Sequence, residues 1–221
     1  PLYGPTYLPR KFKTAFVVPP QNDVDVYAHD LGFVAIVVGG EVSGYNVLVG
    51  GGLGTTHGDA RTYARAASVL GFIPRGAQIA VAEAVLTTQR DHGRRDERRL
   101  SRLKYTIDRL GVDWFRGEVE RRSGVPFAPA KGVKFSARGD RFGWTQGGDG
   151  LWHLTLRLRA GRIADRDDAS LLSALRQLAQ VHQGDFRITA NQNLIVAGIS
   201  PETRPEIERI FRLNAIGPCI A

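Results

Sequence analysis

The spacing of apolar positions changes along this chain, and the changes mark its elements. Residues 14–50 read as β-rich: Phe16-Val17-Val18 stops at Pro19-Pro20, Phe33 through Val38 is an unbroken apolar run stopped by Gly39-Gly40, and Tyr45-Asn46-Val47-Leu48-Val49 stops at Gly50. The short glycine-containing gap between the last two predicts a hairpin. Residues 63–70 read as a helix ended by Gly71, and residues 77–90 as a clearer one, apolar at Ile79, Ala82, Val85 and Leu86. Another helix is predicted over residues 112–122. Residues 124–148 are rich in Gly, Pro and Lys and read as a linker or long connection. Beyond it, residues 152–159 alternate as a half-exposed strand, and residues 169–182 carry Leu171, Leu172, Leu175, Leu178 and Val181 on one helical stripe. Residues 185–198 read as a single strand, and residues 201–213 as a helix capped by Ser200. Strands interleaved with helices in this way predict an α+β fold.

Composition bounds the partners. The chain has 221 residues, 43% apolar and 24% charged, enough to bury a core in one large domain or two modest ones. Its formal net charge of +8 favours an anionic partner. No familiar nucleic-acid motif is present, and the aromatics are not interleaved with the cations as a stacking platform requires. A polyanionic cofactor or an acidic protein explains the charge equally well. Cys219 is the single cysteine, so neither a disulfide nor a thiolate metal site forms within these residues. No signal peptide or membrane-length apolar run is seen, which points to the cytoplasm. The absence of methionine and the start at Pro1 suggest a piece of a longer polypeptide.

Three stretches carry candidate chemistry. In Leu8-Pro9-Arg10-Lys11-Phe12-Lys13-Thr14, an extended chain puts Lys11 and Lys13 on one face and Phe12 on the other. That pattern suits an edge strand blunted with lysines, and it also suits an anion site built from Arg10, Lys11 and Lys13. The Gly50-Gly51-Gly52-Leu53-Gly54 cluster lets backbone approach a ligand and offers amide hydrogens to anions. Residues 90–104 hold seven cations. On a helix Arg95, Arg98, Arg99 and Arg102 share a face, and residues 94–99 read as solvated. Arg102 and Lys104 adjoin Leu103, Tyr105, Ile107 and Leu110, and are expected to face inward. Two residues apart, they converge only if a helix starts after Arg102 or the segment is extended. Along residues 185–198, Arg187, Thr189, Asn191 and Asn193 alternate on one strand face, either a solvent face or a hydrogen-bonding wall.

Taken together, Leu8 to Lys13, Val49-Gly50-Gly51-Gly52-Leu53, Thr87-Thr88-Gln89-Arg90-Asp91, Arg102-Leu103-Lys104-Tyr105 and Gly184 to Asn193 resemble the sulfite/nitrite reductase family, in order along essentially the whole chain. Its NADPH-dependent assimilatory branch is the nearest in pattern. The resemblance implies a sirohaem-binding nitrite/sulfite reductase domain over residues 1–130, a linker and ferredoxin-like half-domain over residues 131–198, and the start of a second sirohaem/iron-sulfur domain over residues 199–221. It implies sirohaem beside a [4Fe-4S] cluster, reduction of sulfite to sulfide, and a flavoprotein (alpha) subunit as electron source, with no nucleic acid and no membrane. Lys11 and Lys13 match the catalytic lysines. Arg10, Gly50, Gly51, Gly52, Arg102, Lys104, Arg187, Thr189, Asn191 and Gln192 match cofactor-binding positions. Cys219 matches no cluster ligand, so metal ligands are expected outside these residues and the fragment alone is expected to be inactive. A ferredoxin-dependent sulfite or nitrite reductase, and a basic nucleic-acid-binding module, are the alternatives.

Overall fold

The computed structural model describes residues 2–216. Contacts divide it into two units, one up to residue 138 and one from residue 139 on. In the first, strands β1 (Thr14–Val17), β2 (Leu31–Val38), β3 (Glu41–Val49) and β4 (Ser68–Pro74) form one sheet in that order. β1 runs parallel to β2, and the remaining pairs are antiparallel. The predicted hairpin is β2–β3. Leu31 and Phe33 of β2 enter one core and Val34 another, so both faces of the strand are covered. An uninterrupted apolar run is what such a strand requires.

Helices α1 (Gln78–His92), α2 (Leu103–Leu110) and α3 (Val112–Ser123) cover the first of those faces. They contribute Val81, Val85, Leu103, Ile107, Phe115 and Val119 to the core, at the three- and four-residue spacing of a buried stripe.

One expected helix, over residues 63–70, is not formed. Residues 63–67 are largely extended and lead into β4: Arg65 exchanges both backbone hydrogen bonds with Gly52, and the Ala67 N–H bonds the Tyr27 carbonyl. Pairing with distant chain overrides the weak helical preference of this alanine-containing stretch. Residues 90–104 are not one helix either. α1 stops at Gly93, which is extended (φ −68°, ψ 144°) and packed so closely by Gln89 and Pro9 that an added Cβ would lie 2.8 Å from the Pro9 ring. A single 3-10 turn follows at Arg98–Leu100, and Arg102 is extended (φ −75°, ψ 154°) before α2 begins.

The connection is pinned rather than loose. Ala137–Arg138 pairs with Gln21–Asn22, Phe127 is buried in the first core, and Ala128 bridges Phe72. The stretch also contains a strand of the second unit, β5 (Gly143–Gln146).

The second unit is a four-stranded antiparallel sheet in the order β7–β8–β6–β5, with β6 (Trp152–Leu156), β7 (Asp185–Ile188) and β8 (Leu194–Ile199). Helices α4 (Leu171–Val181) and α5 (Arg204–Leu213) supply Leu175, Leu178, Ile207, Ile210 and Phe211 to one core with Leu154, Leu156 and Val196. Residues 185–198 are therefore two strands, not one. The chain reverses at residues 189–193, with Gln192 in the left-handed region (φ 65°). Ser200 accepts the Thr203 amide and caps the turn leading into α5. Cys219 lies outside the described residues.

Ile107 is fully buried against Gly50, where an added Cβ would meet its side chain at 2.8 Å. Ile107→Ala is expected to lower stability by about 2–5 kcal/mol. Chemical denaturation checks this, and a loss under about 1 kcal/mol would contradict the packing described.

Candidate anion and cofactor site

The predicted site segments of the first unit meet at Asp30, a residue that no sequence pattern singles out. Asp30 is fully buried immediately before β2. Its carboxylate accepts the Lys13 backbone N–H at 3.0 Å and the Arg102 Nη2 from both oxygens at 3.1 Å. Its carbonyl accepts the Gly50 N–H at 2.9 Å. Burying a carboxylate is costly unless it is paired and hydrogen-bonded, and these donors meet that requirement.

The Gly50–Gly52 turn is closed over this group. Gly50 has φ 76°, and an added Cβ at Gly51 would lie 2.2 Å from the Tyr27 carbonyl and 2.6 Å from that of His29. At Gly52 it would meet the Arg102 guanidinium at 2.8 Å. Glycine is needed here for close approach, as expected, but the approach is to the protein's own backbone. The three amides are all engaged, by the carbonyls of Asp30, His29 and Arg65, so the turn does not present them to an anion. All three glycines are buried.

Arg102 and Lys104 both turn inward. Arg102 retains 12% side-chain exposure, and its Nε is buried without an acceptor among the described residues. Lys104 is fully buried on the first turn of α2. Its ammonium donates to the carbonyls of Gly54 at 2.9 Å, Gly52 at 3.2 Å and Tyr63, between the Tyr63 and Tyr105 rings. Burial pushes its pKa below the ordinary lysine value, and the Arg102 charge adds to that. Lys104 thus braces the glycine turn from beneath. The Tyr63 hydroxyl donates to Asp108 at 2.6 Å, which with burial pushes its pKa up to about 12.

Lys11 and Lys13 precede β1 instead of lying within it, and both are exposed, whereas Phe12 between them packs on the core. The side chains of Arg10, Lys11 and Lys13 have no hydrogen-bond or ion-pair partner among the described residues. The chain leading to them is held from the basic stretch. Arg95 donates to the Thr6 carbonyl at 3.0 Å and the Tyr7 carbonyl at 2.6 Å, and Arg90 donates to that of Leu2 at 2.7 Å. Arg95 is exposed, as expected, and is also a tie on the N-terminal segment. Arg98 and Arg99 remain at the surface, Arg99 lying 3.6 Å from Asp59.

In the second unit the expected polar row does not share a strand face. Arg187 is exposed and pairs with Asp185 at 2.9 Å. Thr189, Asn191 and Asn193 lie in the turn and converge on Asp140, at 2.7, 2.9 and 2.6 Å. The sequence pattern marks Thr189, Asn191 and Asn193 as hydrogen-bonding residues, but not Asp140, on which they converge. Gln192 and Asn191 line a cleft of about 530 Å³ together with Arg157 and Arg159. Burial pushes the Asp140 carboxyl up, but the bonds from Asn193, Asn191 and Thr189 outweigh it and hold its pKa below the ordinary value of 3.8. Its stabilising contribution is accordingly complete above pH 3.8 and lost as pH falls through the lower folded value. Thermal melts against pH should show wild type more stable than Asp140→Asn at neutral pH, with the gap narrowing below pH 3.8. A gap independent of pH would show that the ionised carboxylate is not what closes the turn.

Comparisons with known proteins place the chain in a family. Residues 1–127 match the nitrite and sulphite reductase 4Fe-4S domain, and residues 145–214 the nitrite/sulfite reductase ferredoxin-like half domain. The chain is 56% identical over 216 residues to the sulfite reductase [NADPH] hemoprotein beta-component of Myxococcus xanthus, covering 98% of this chain and 38% of that protein. It is 52% identical over 222 residues to the protein of the same name from Shigella dysenteriae, covering 99% of this chain and 39% of that protein. The Mycobacterium tuberculosis NirA structure superposes with a TM-score of 0.78 at 26% identity, over 95% of this chain and 37% of that one. The chain thus spans well under half the length of these relatives. With one family model covering its first unit and a second covering most of the other, the chain belongs to the nitrite and sulphite reductase family.

Proposed function

We propose that this chain is part of the hemoprotein component of an assimilatory sulfite reductase, which reduces sulfite to sulfide with electrons passed from NADPH by a flavoprotein partner in the cytoplasm. The observation that carries the reading is the trio Arg10, Lys11 and Lys13. These are three cationic side chains without partners among the described residues, on a segment tied down by Asp30 and Arg95. Identity of 51–56% to named hemoproteins supports it.

The residues fit one of the two cofactors in part and the other not at all. Sirohaem is a polycarboxylate, and the partnerless cations together with the orphaned Arg102 Nε suit such a group. Arg10, Arg102 and the Gly50–Gly52 turn would hold it in the first unit, with Lys104 acting through the turn it braces. Arg187, Thr189, Asn191 and Gln192 are the proposed contacts of the second unit. A [4Fe-4S] cluster needs thiolates, and this chain has one cysteine. Among the described residues no group of three or more His, Cys, Asp and Glu could hold a metal. The cluster ligands therefore belong to residues outside these 221. When bound, the cofactor pair supplies the reducing electrons.

The chain's own contribution is electrostatic and acid–base. Two ammonium groups at Lys11 and Lys13 stabilise a bound oxyanion by Coulomb attraction and N–H donation, most strongly where closure of the site excludes water. They are also proton donors for oxygen atoms leaving as water. Among the described residues no helix is long and apolar enough to cross a membrane.

In the full-length protein, Lys11→Ala or Lys13→Ala is expected to cut sulfite turnover by roughly two to three orders of magnitude, as for removal of a preorganised donor. Sirohaem content should stay near normal. Steady-state assays with reduced methyl viologen test this, and wild-type rates would refute the assignment.

A further inference from the structure

We propose that Asp30 is a positioning residue for the anion site, acting through Lys13; the proposal rests on the reading of Lys13 given above. Lys13 is held at both main-chain groups by consecutive residues. Its N–H donates to the Asp30 carboxylate at 3.0 Å, and its C=O accepts the Leu31 N–H at 3.1 Å. The second bond belongs to the β1–β2 pairing and would form with any residue at position 30. The first needs a side-chain acceptor at position 30, and a buried carboxylate is a stronger one than a neutral oxygen.

The same carboxylate takes the Arg102 Nη2 on both oxygens. That nitrogen also lies 3.4 Å from the Gly51 carbonyl, and the Asp30 carbonyl bonds the Gly50 N–H. One fully buried charge therefore locks three segments far apart in sequence: the lysine segment, the glycine turn and the start of α2. The cations facing this group are Arg102, which touches it, and Lys104, whose ammonium is taken by the carbonyls of Gly52, Gly54 and Tyr63. A site that must hold a small anion gains rate from the placement of its ammonium groups, and placement of Lys13 begins at its main chain.

A double-mutant cycle in the full-length sirohaem-loaded protein tests this, with Asp30→Asn, Lys13→Ala and the pair compared by kcat/KM for sulfite. Amide hydrogen exchange at Lys13 is the second readout. Asp30→Asn alone is expected to lower kcat/KM about tenfold, the scale of losses from a slightly misplaced group. It should also speed exchange at the Lys13 amide. In the Lys13→Ala background the loss should be several-fold smaller than in wild type, because the part that runs through the Lys13 side chain is gone and only the part through Arg102 and the glycine turn remains. An equal loss in both backgrounds, or an unchanged Lys13 amide, overturns the positioning role and leaves Asp30 structural. A Lys13→Ala variant with wild-type turnover overturns the reading of Lys13 itself, a different failure. Asp30→Glu, which keeps the charge but displaces it, provides the same cycle if Asp30→Asn does not fold. Additive losses in that cycle overturn the positioning role equally.

Discussion

A carboxylate with no exposure to water sits where three parts of the first unit meet, and the geometry around it follows from the need to pair it. The desolvation penalty for such a group amounts to several kcal/mol, and breaking a buried pair by removing one partner leaves the other uncompensated. Asp30 is therefore bound to Arg102, and Arg102 cannot extend into solvent as a surface arginine would. The guanidinium then occupies the space where a side chain at position 52 would stand, which requires glycine. Lys104, two residues further on, reaches the same turn from beneath because Arg102 is extended and the helix starts only at Leu103. The pair converges through a change of backbone conformation between them, one of the two routes open to residues at that spacing.

Much of this is legible in the sequence, and what is not has a common cause. The β2–β3 hairpin, α1, α3, α4 and the inward turn of Arg102 and Lys104 follow from period, punctuation and adjacency to apolar residues, all local signals. The extended course of residues 63–67 and the break at Gly93 depend on partners far away in the chain: Gly52 and Tyr27 for the first, Pro9 for the second. Residues 185–198 read as one strand because Thr189, Asn191 and Asn193 fit a period of two as well as they fit a turn. What selects the turn is Asp140, some fifty residues upstream. Asp30 and Asp140 escape a sequence reading for the same reason. A lone aspartate beside an apolar run or in a glycine-rich loop gives no periodic signal, and its significance lies wholly in what comes to it. A charged residue directly before an unbroken apolar strand whose first five residues are buried is the one available hint.

The two units use the same device on different backbones. In each, a carboxylate gathers donors from distant segments and fixes a turn: Asp30 with the glycine turn, Asp140 with the β7–β8 reversal. The donors differ in kind. Asp30 holds a guanidinium, so charge is balanced locally. Asp140 holds a hydroxyl and two amides, which are neutral, and its negative charge remains. Hydrogen bonds to an ionised carboxylate are stronger than neutral ones, which is why three small polar side chains suffice to hold its pKa down against burial.

The net charge of +8 takes on a different meaning once the cations are sorted by what they touch. Arg90, Arg95 and Lys104 are bound to main-chain carbonyls, and Arg61, Arg94, Arg121 and Arg122 to neighbouring carboxylates. Exposed pairs of the latter kind contribute little to stability and bring no attraction for a distant polyanion. Within residues 90–104, Arg90 and Arg95 tie down the chain before Arg10. What they tie down leads into a run of three cations with no partner among the described residues. Holding like charges together without counterions raises the energy of the empty site, and a fold tolerates that where the arrangement is fixed by other bonds, here those to Asp30, Leu31 and Arg95. An anion bound there, as proposed, would relieve the repulsion. On the proposed reading, part of the electrostatic cost of bringing the cations together would be met during folding, on a backbone already fixed by Asp30, Leu31 and Arg95.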